Sequence, residues 1–339
     1  MILVDYFFLN DILKNNSFSS IFFKNNSSKK ILRIDDYFCP RNVIPSKIDL
    51  KEGMNEINSI CKELKIKHEY IFTREILSKK ILLKKNEKFP FSNFEWPLDF
   101  HFLKRKIHKH GQYKTLYKYD FSSFYGNLMV NNKFPIPPYW ISNENENSFA
   151  IICDVDESNS LFPFIPERIN GKDEYLKRKK ENAVVFDFDI NRLKILETKK
   201  FLNCEKRGNV FDFVKELIKK RKNEKLNPYY KILVNWIHWS LHEKIEYIKI
   251  DDGIKMVKET QINQVIDEYL NALGRSVMNE LALHFLNNGQ EIIHEDIDSL
   301  VTYHDEMPAT FKKMKLNVYK LKNVKTLKSS LLVGEKILV

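Results

Sequence analysis

The residues of this sequence whose types and spacing could do chemistry are three carboxylates and a basic run. Asp120 opens the stretch Asp120-Phe121-Ser122-Ser123-Phe124-Tyr125, and Asp296 and Asp298 stand in Asp296-Ile297-Asp298-Ser299. Hard divalent cations prefer oxygen ligands, so a cluster of these carboxylates suits Mg²⁺ or Mn²⁺. Two such ions about 4 Å apart would activate a 3′-hydroxyl and stabilise the leaving pyrophosphate of an in-line displacement. Asp296 and Asp298 are two apart, so on an extended backbone both side chains leave the same face. Asp120 then opens a metal site that Asp298 completes from a distant part of the chain.

Lys231 and Asn235 are four apart and share a helical face, as do Arg221 and Lys225 on the preceding stretch. Such a basic face can hold the β- and γ-phosphates of a triphosphate and balance charge that develops during transfer. Tyr125 follows Asp120 in an aromatic pocket with Phe121 and Phe124. A tyrosine ring against a sugar would exclude a 2′-hydroxyl and so select deoxynucleotides. Plainer roles stand beside these: a polar turn for Asp-x-Asp-Ser, a solvated amphipathic helix for the lysines, core packing for the tyrosine.

Elements must bring these groups together. Leu116, Tyr117, Tyr119 and Phe121 suit a strand over 115–121 that delivers Asp120. Pro135-Ile136-Pro137-Pro138 is expected to break regular structure, 142–149 to form a loop, and 151–155 another strand. Pro163 and Pro166 bracket a turn, and the charge run from Lys172 to Glu181 reads as a solvated helix or hairpin. A helix begins near Val210 and stops at Asn227-Pro228, and a second spans 229–242, which together make a helical hairpin with a basic face. A third helix over about 261–287 ends at Asn288-Gly289. The chain then enters two strands over 292–303 around Asp296 and Asp298.

Composition agrees with that chemistry. Hydrophobic residues at 43% with aromatics at 13% describe a folded chain, and 339 residues allow more than one subdomain. A formal charge of +11 favours a polyanionic partner, nucleic acid first and anionic membrane second. The four cysteines form no Cys-x-x-Cys pair, which argues against a zinc site and a disulfide framework and for a reducing compartment. No uncharged run is long enough to cross a bilayer, so the expectation is a soluble intracellular protein of host cytoplasm or mitochondrion without a membrane partner.

Taken in order, the motifs resemble the palm and fingers of the B-family DNA polymerases. The similarity is closest to the protein-primed branch of linear plasmids, mitochondrial plasmids and small viruses. That family's first motif, Asp-x-x-Ser-Leu-Tyr-Pro, is matched by Asp120, Ser123, Phe124 and Tyr125, with Gly126 for proline. Its second, Lys-x-x-x-Asn-Ser-x-Tyr-Gly, is matched by Lys231 and Asn235, whereas Trp236, His238 and Trp239 replace serine, tyrosine and glycine. Its third, Asp-Thr-Asp-Ser, is matched by Asp296, Asp298 and Ser299. Pro163-Phe164-Ile165-Pro166-Glu167-Arg168 resembles the Pro-x-Leu-Pro-x-Arg stretch. At the C-terminus Leu338 stands where a Lys-x-Tyr motif has tyrosine.

The resemblance implies an α+β fold, with a palm of antiparallel sheet and packed helices, helical-hairpin fingers and no evident thumb. It divides the chain into 1–95, without recognisable exonuclease motifs; a first palm part with an insertion, 96–205; fingers, 206–245; and a second palm part with the third-motif hairpin, 246–339. Asp120 and Asp298 become ligands of two Mg²⁺ or Mn²⁺ ions, assisted by Asp296. Lys231, Arg221 and Lys225 hold triphosphate, Asn235 and Ser123 help bind the nucleotide, and Tyr125 is the sugar gate. The implied reaction is transfer of dNTPs to a 3′-end or a priming protein's hydroxyl on primer–template DNA, with low processivity and no proofreading. A terminal protein and a separate chain with thumb or exonuclease functions are the implied further partners. Two other readings stay open: a catalytically impaired accessory protein that binds nucleic acid, and a template-independent nucleotidyl transferase.

Overall fold

The structure is a computed structural model that describes residues 22–25, 30–33, 59–65, 81, 92, 94, 106–107, 111–121, 123–170, 172–220, 230, 233–235, 237–238, 241, 246–250, 254–258, 263–296, 298–303, 325–333 and 336–338. In chain order the strands begin with β1 (Phe22–Asn25), β2 (Lys30–Arg33), β3 (Lys106–Ile107) and β4 (Gly111–Asp120). Helix α1 (Phe124–Asn131) leads to the long strands β5 (Phe134–Ser142) and β6 (Ser148–Asp156). The short pair β7 (Glu167–Ile169) and β8 (Lys172–Glu174) precedes β9 (Lys179–Phe186) and β10 (Ile195–Gly208). Next come helix α2 (Asp212–Lys220), strands β11 (Glu246–Ile250) and β12 (Ile254–Lys258), and helix α3 (Gln264–Asn287). Strands β13 (Ile292–Glu295), β14 (Ser299–Thr302), β15 (Lys325–Val333) and β16 (Lys336–Leu338) follow.

The chain divides into two compact units, Met1–Phe91 with Phe213–Asn263, and Ser92–Asp212 with Gln264–Val339. The second unit holds a six-stranded antiparallel sheet in the order β16-β15-β4-β14-β13-β3. Central strand β4 is apolar on both faces, because Leu116 and Tyr119, of opposite parity, are both fully buried. Leu116 joins Ile293 and Val301 in one core cluster, while the Tyr119 ring meets Phe285 of α3 at 4.9 Å. Helix α3 is buried almost all round, as a helix enclosed by neighbouring elements must be. It stops where Gly289 takes φ 72°, with the Gly289 N–H donating to Leu286 C=O at 3.0 Å. That stop releases the chain into the β13–β14 hairpin.

A second, four-stranded antiparallel sheet in the same unit runs β5-β10-β6-β9. Its core alternates with period two: Ile151, Cys153 and Val155 from β6, Ala183 and Val185 from β9. The break expected at Pro135–Pro138 does not occur, because β5 runs straight through those prolines. It can do so because it is an edge strand, and β10 shifts register opposite Pro137 and Pro138, between Cys204 and Lys206. The charge run 172–181 is neither a helix nor a hairpin of its own: Lys172–Glu174 (β8) pairs back onto β7, and 179–181 opens β9 beside β6. It is not uniformly solvated. Lys180 is only 4% exposed and its Nζ reaches Glu157 Oε2 at 2.6 Å. Glu157 also accepts the Phe164 N–H at 2.6 Å, so the ion pair pins the turn between Pro163 and Pro166.

The first unit has a four-stranded sheet β1-β2-β11-β12. Strands β11 and β12 were not anticipated, although apolar alternation on both sides of Asp252-Gly253 is a hairpin signal. Helical residues appear at 59–63, in α2, and between 230 and 241. Glu63 ties these three together, accepting from Lys220 Nζ and from Tyr230 Oη. On α2 Val214 and Leu217 face inward while Lys215 and Lys219 are exposed, the amphipathic pattern read from the sequence. No helix among the described residues is long and apolar enough to cross a membrane.

Candidate functional site

Asp120 is the last residue of β4, an interior strand of the six-stranded sheet. Its partner across the ladder is Ser299, the first residue of β14. One step on, the Phe121 N–H donates to the Asp298 carbonyl at 2.9 Å. Asp120 and Asp298 therefore occupy neighbouring positions at one end of one ladder, both half-buried. Strand pairing creates this proximity, because backbone hydrogen bonds leave adjacent strands roughly 5 Å apart.

Asp296 is placed differently from the expectation of two aspartates on one extended face. Its N–H donates to the Ser299 carbonyl at 2.8 Å, so the chain reverses between Asp296 and Ser299. Alternation of side chains presumes an extended backbone, and a reversal removes it. Accordingly, no three or more His, Cys, Asp or Glu side chains gather around a shared cation position among the described residues. Ser299 is fully buried and its hydroxyl has no hydrogen-bond partner among the described residues. The donor set of Asp120 and Asp298 is all oxygen and acidic, which fits a hard divalent cation completed by phosphate oxygens or water.

Ser123 makes the sharp turn from β4 into α1. It is the N-cap residue of α1, with φ 51° and ψ 48°, and its side chain makes no capping bond. A non-glycine residue in this left-handed region costs roughly 1 kcal/mol, and such strain concentrates at functional sites. The first turn of α1 carries no acidic side chain, so the N-terminal N–H groups and helix dipole there favour an anion.

Tyr125, in that first turn, packs edge-on against Phe124 at 5.7 Å, and Phe124 stacks on Phe121 at 5.3 Å. The aromatic cluster expected from the sequence is therefore present. The Tyr125 hydroxyl donates to Asn271 Oδ1 of α3 at 3.3 Å. Burial pushes this phenol well above the usual range, Asp267 and Asp298 push it in the same direction, and Arg275 opposes them. Asp298 thus acts electrostatically on the tyrosine that follows Asp120 in sequence.

Several polar residues at the core of this unit were not singled out from the sequence. Helix α3 buries Asp267, Glu268, Asn271, Arg275, Ser276 and Asn279. Their signal was available: 267, 271 and 275 recur every four residues in an otherwise apolar helix. Arg207 of β10 binds Asp187 Oδ2 at 2.6 Å and the Tyr269 hydroxyl at 3.1 Å, fastening the four-stranded sheet to α3. Arg192 reaches Ser276 Oγ at 2.8 Å and Glu280 Oε2 at 2.6 Å. A cavity of about 260 Å³ is bordered by Arg168, Lys180, Asp189, Glu268 and Arg275, and none of the residues expected at the metal site lines it.

Of the expected phosphate-binding residues, Arg221, Lys225 and Lys231 lie outside the described residues. Asn235 is helical and exposed, whereas His238 is 4% exposed. Both belong to the unit containing Phe213–Asn263, and Asp120, Ser123, Tyr125, Asp296 and Asp298 belong to the other.

No family model matches this sequence, and no curated protein matches it. The fold is similar to that of Phi29 DNA polymerase. Against its ternary complex with primer-template DNA and incoming nucleotide substrates the TM-score is 0.60 at 15% identity, covering 80% of this chain and 55% of that one. Against its orthorhombic crystal form the TM-score is 0.60 at 16% identity, covering 88% of this chain and 63% of that one. Against its complex with single-stranded DNA the TM-score is again 0.60, at 14% identity. This chain spans less than two thirds of that polymerase's length. At such identities the likeness is one of fold: mixed helix and antiparallel sheet, similar to a DNA polymerase.

Proposed function

We propose that this chain is a DNA polymerase of the B-family type, transferring deoxynucleotides to a 3′-hydroxyl or to the hydroxyl of a priming protein. The observation that carries this reading is the β4–β14 register, which makes Asp120 and Asp298 neighbours at one ladder end. Asp120 and Asp298 would hold a divalent cation there, and Asp296 adds negative potential at the rim. When bound, Mg²⁺ or Mn²⁺ supplies charge neutralisation at the transferring phosphate and lowers the pKa of the attacking hydroxyl. The first-turn N–H groups of α1, which follow the left-handed Ser123, would meet the triphosphate. Tyr125 lies against the sugar. Lys231, Arg221, Lys225 and Asn235 supply the basic face for the β- and γ-phosphates, and the formal charge of +11 supports a DNA partner.

One observation favours a second reading. His238, at the position of the family's template-side tyrosine, is buried. A side chain turned into the core cannot lie against a template base, which favours an accessory protein that binds nucleic acid without templated synthesis. Purified protein with Mg²⁺ or Mn²⁺, labelled deoxynucleotides and a primed template, beside an Asp298→Ala control, separates the readings. Templated extension lost in the control supports the polymerase. Binding without incorporation supports the accessory protein, and untemplated labelling supports a template-independent nucleotidyl transferase.

A further inference from the structure

The Tyr125 ring is held from two directions. Phe124 contacts it edge-on from within α1, and Asn271 reaches its hydroxyl from α3. Asn271 is 1% exposed. Its Oδ1 accepts from Tyr125, and its Nδ2 donates to Asp267 Oδ1 at 3.4 Å, four residues earlier on the same helix. With both ends of the amide engaged, its orientation is set: the carbonyl oxygen must face the phenol. A buried helix is a rigid mount, and a donor–acceptor pair that joins two elements fixes a ring more tightly than packing alone. Asp267, Asn271 and Arg275 form one stripe, and both charged members act on the same phenol.

We propose that Asn271 is a positioning residue for sugar selection, anchoring the Tyr125 ring at the tilt that excludes a 2′-hydroxyl. The inference rests on the polymerase reading, because it takes Tyr125 as the surface that meets the nucleotide sugar. Asn271 touches no substrate; it acts through Tyr125. Without the anchor the ring is free to tilt about its χ angles, and the space for a ribose hydroxyl opens. Discrimination then falls while the metal-holding carboxylates stay in place.

The test compares dATP with ATP in two assays, single-nucleotide incorporation on a primed template and equilibrium binding without primer. The variants are Asn271→Leu, Tyr125→Phe and the double mutant, each checked for a cooperative melt. Tyr125→Phe deletes the same hydrogen bond from the other end, so it decides the matter if Asn271→Leu fails to fold. Each single variant is expected to lower the preference for dATP on the order of tenfold, the worth of one hydrogen bond. The double mutant should fall no further, because both changes remove one interaction. Unchanged preference in folded Tyr125→Phe, or additive losses in the double mutant, overturns the inference. If the parent protein binds dATP preferentially without extending primers, and the variants lose that preference, the positioning role stands and the polymerase reading falls. If the parent neither extends nor distinguishes the two nucleotides, both fall.

Discussion

The amide of Phe121 donates to the carbonyl of Asp298 at 2.9 Å, joining the strand that ends in Asp120 to the hairpin that carries Asp298. A backbone bond at this point makes the spacing of the two carboxylates a property of the sheet and not of a flexible loop. On the proposed reading, carboxylates preorganised in this way cost nothing to assemble when a cation and triphosphate arrive.

Replacing Asp298 or Asp120 with Asn should therefore sharply reduce incorporation without unfolding the chain. The expected loss is on the order of 10²–10³-fold for either, the usual consequence of removing one preorganised charge at a transferring phosphate. Asp296→Asn should cost less than either, since the chain reverses between Asp296 and Ser299. Steady-state incorporation in Mg²⁺ and Mn²⁺, with circular dichroism as the folding control, measures the ranking. Equal losses at all three positions would contradict it.

Ser123 carries left-handed backbone angles without a side-chain capping bond. Ser123→Gly should raise stability by roughly 0.5–1 kcal/mol, because glycine adopts these angles without a Cβ penalty. Urea unfolding reads this directly. A destabilised Ser123→Gly would mean that the serine side chain contributes more than its backbone conformation costs.

The Glu157–Lys180 pair should behave as a buried ion pair. Lys180→Met leaves a buried carboxylate uncompensated and should cost about 3–5 kcal/mol. Adding Glu157→Gln should recover more than half of that, since the glutamine carbonyl can still accept the Phe164 N–H. Chemical denaturation of the two singles and the double forms the cycle. Additive losses would refute the coupling.

Asp189 gives a pH dependence. Burial raises its carboxyl to about 6, against the Ser276 hydrogen bond and the Arg192 and Arg275 charges, which lower it. A group with a raised folded pKa keeps its proton in the folded chain after the unfolded chain has lost it. Stability therefore declines as pH rises from the ordinary 3.8 towards about 6 and is level above that. Relative to the parent, Asp189→Asn should gain roughly 2 kcal/mol between about pH 3.5 and 6.5. Urea midpoints across that range test the sign, and a constant difference would rule out Asp189 as the source.

Much of this architecture is legible locally. Leu116, Tyr117 and Tyr119 announce β4, the periodic apolar residues of α2 and α3 announce those helices, and Asn288-Gly289 marks the end of α3. Motif order alone picked out Asp120 and Asp298. Local patterns could not reveal that β5 tolerates its prolines, because an edge position exists only once a sheet has an order. Nor could they reveal that Lys180 is buried, which depends on Glu157, just past the end of β6 and 23 residues earlier in the chain.

The amino-acid sequence by itself announced helices α2 and α3, strands β4, β6, β13 and β14, and the residue types that could hold a cation and a nucleotide, since propensity and periodicity act over a few residues. Tertiary structure alone decided which carboxylates become neighbours, where the chain reverses at Asp296, and that a buried asparagine on α3 meets the hydroxyl of Tyr125. Those outcomes are set by strand register and by helix packing, which join residues far apart along the chain and leave no trace in local spacing.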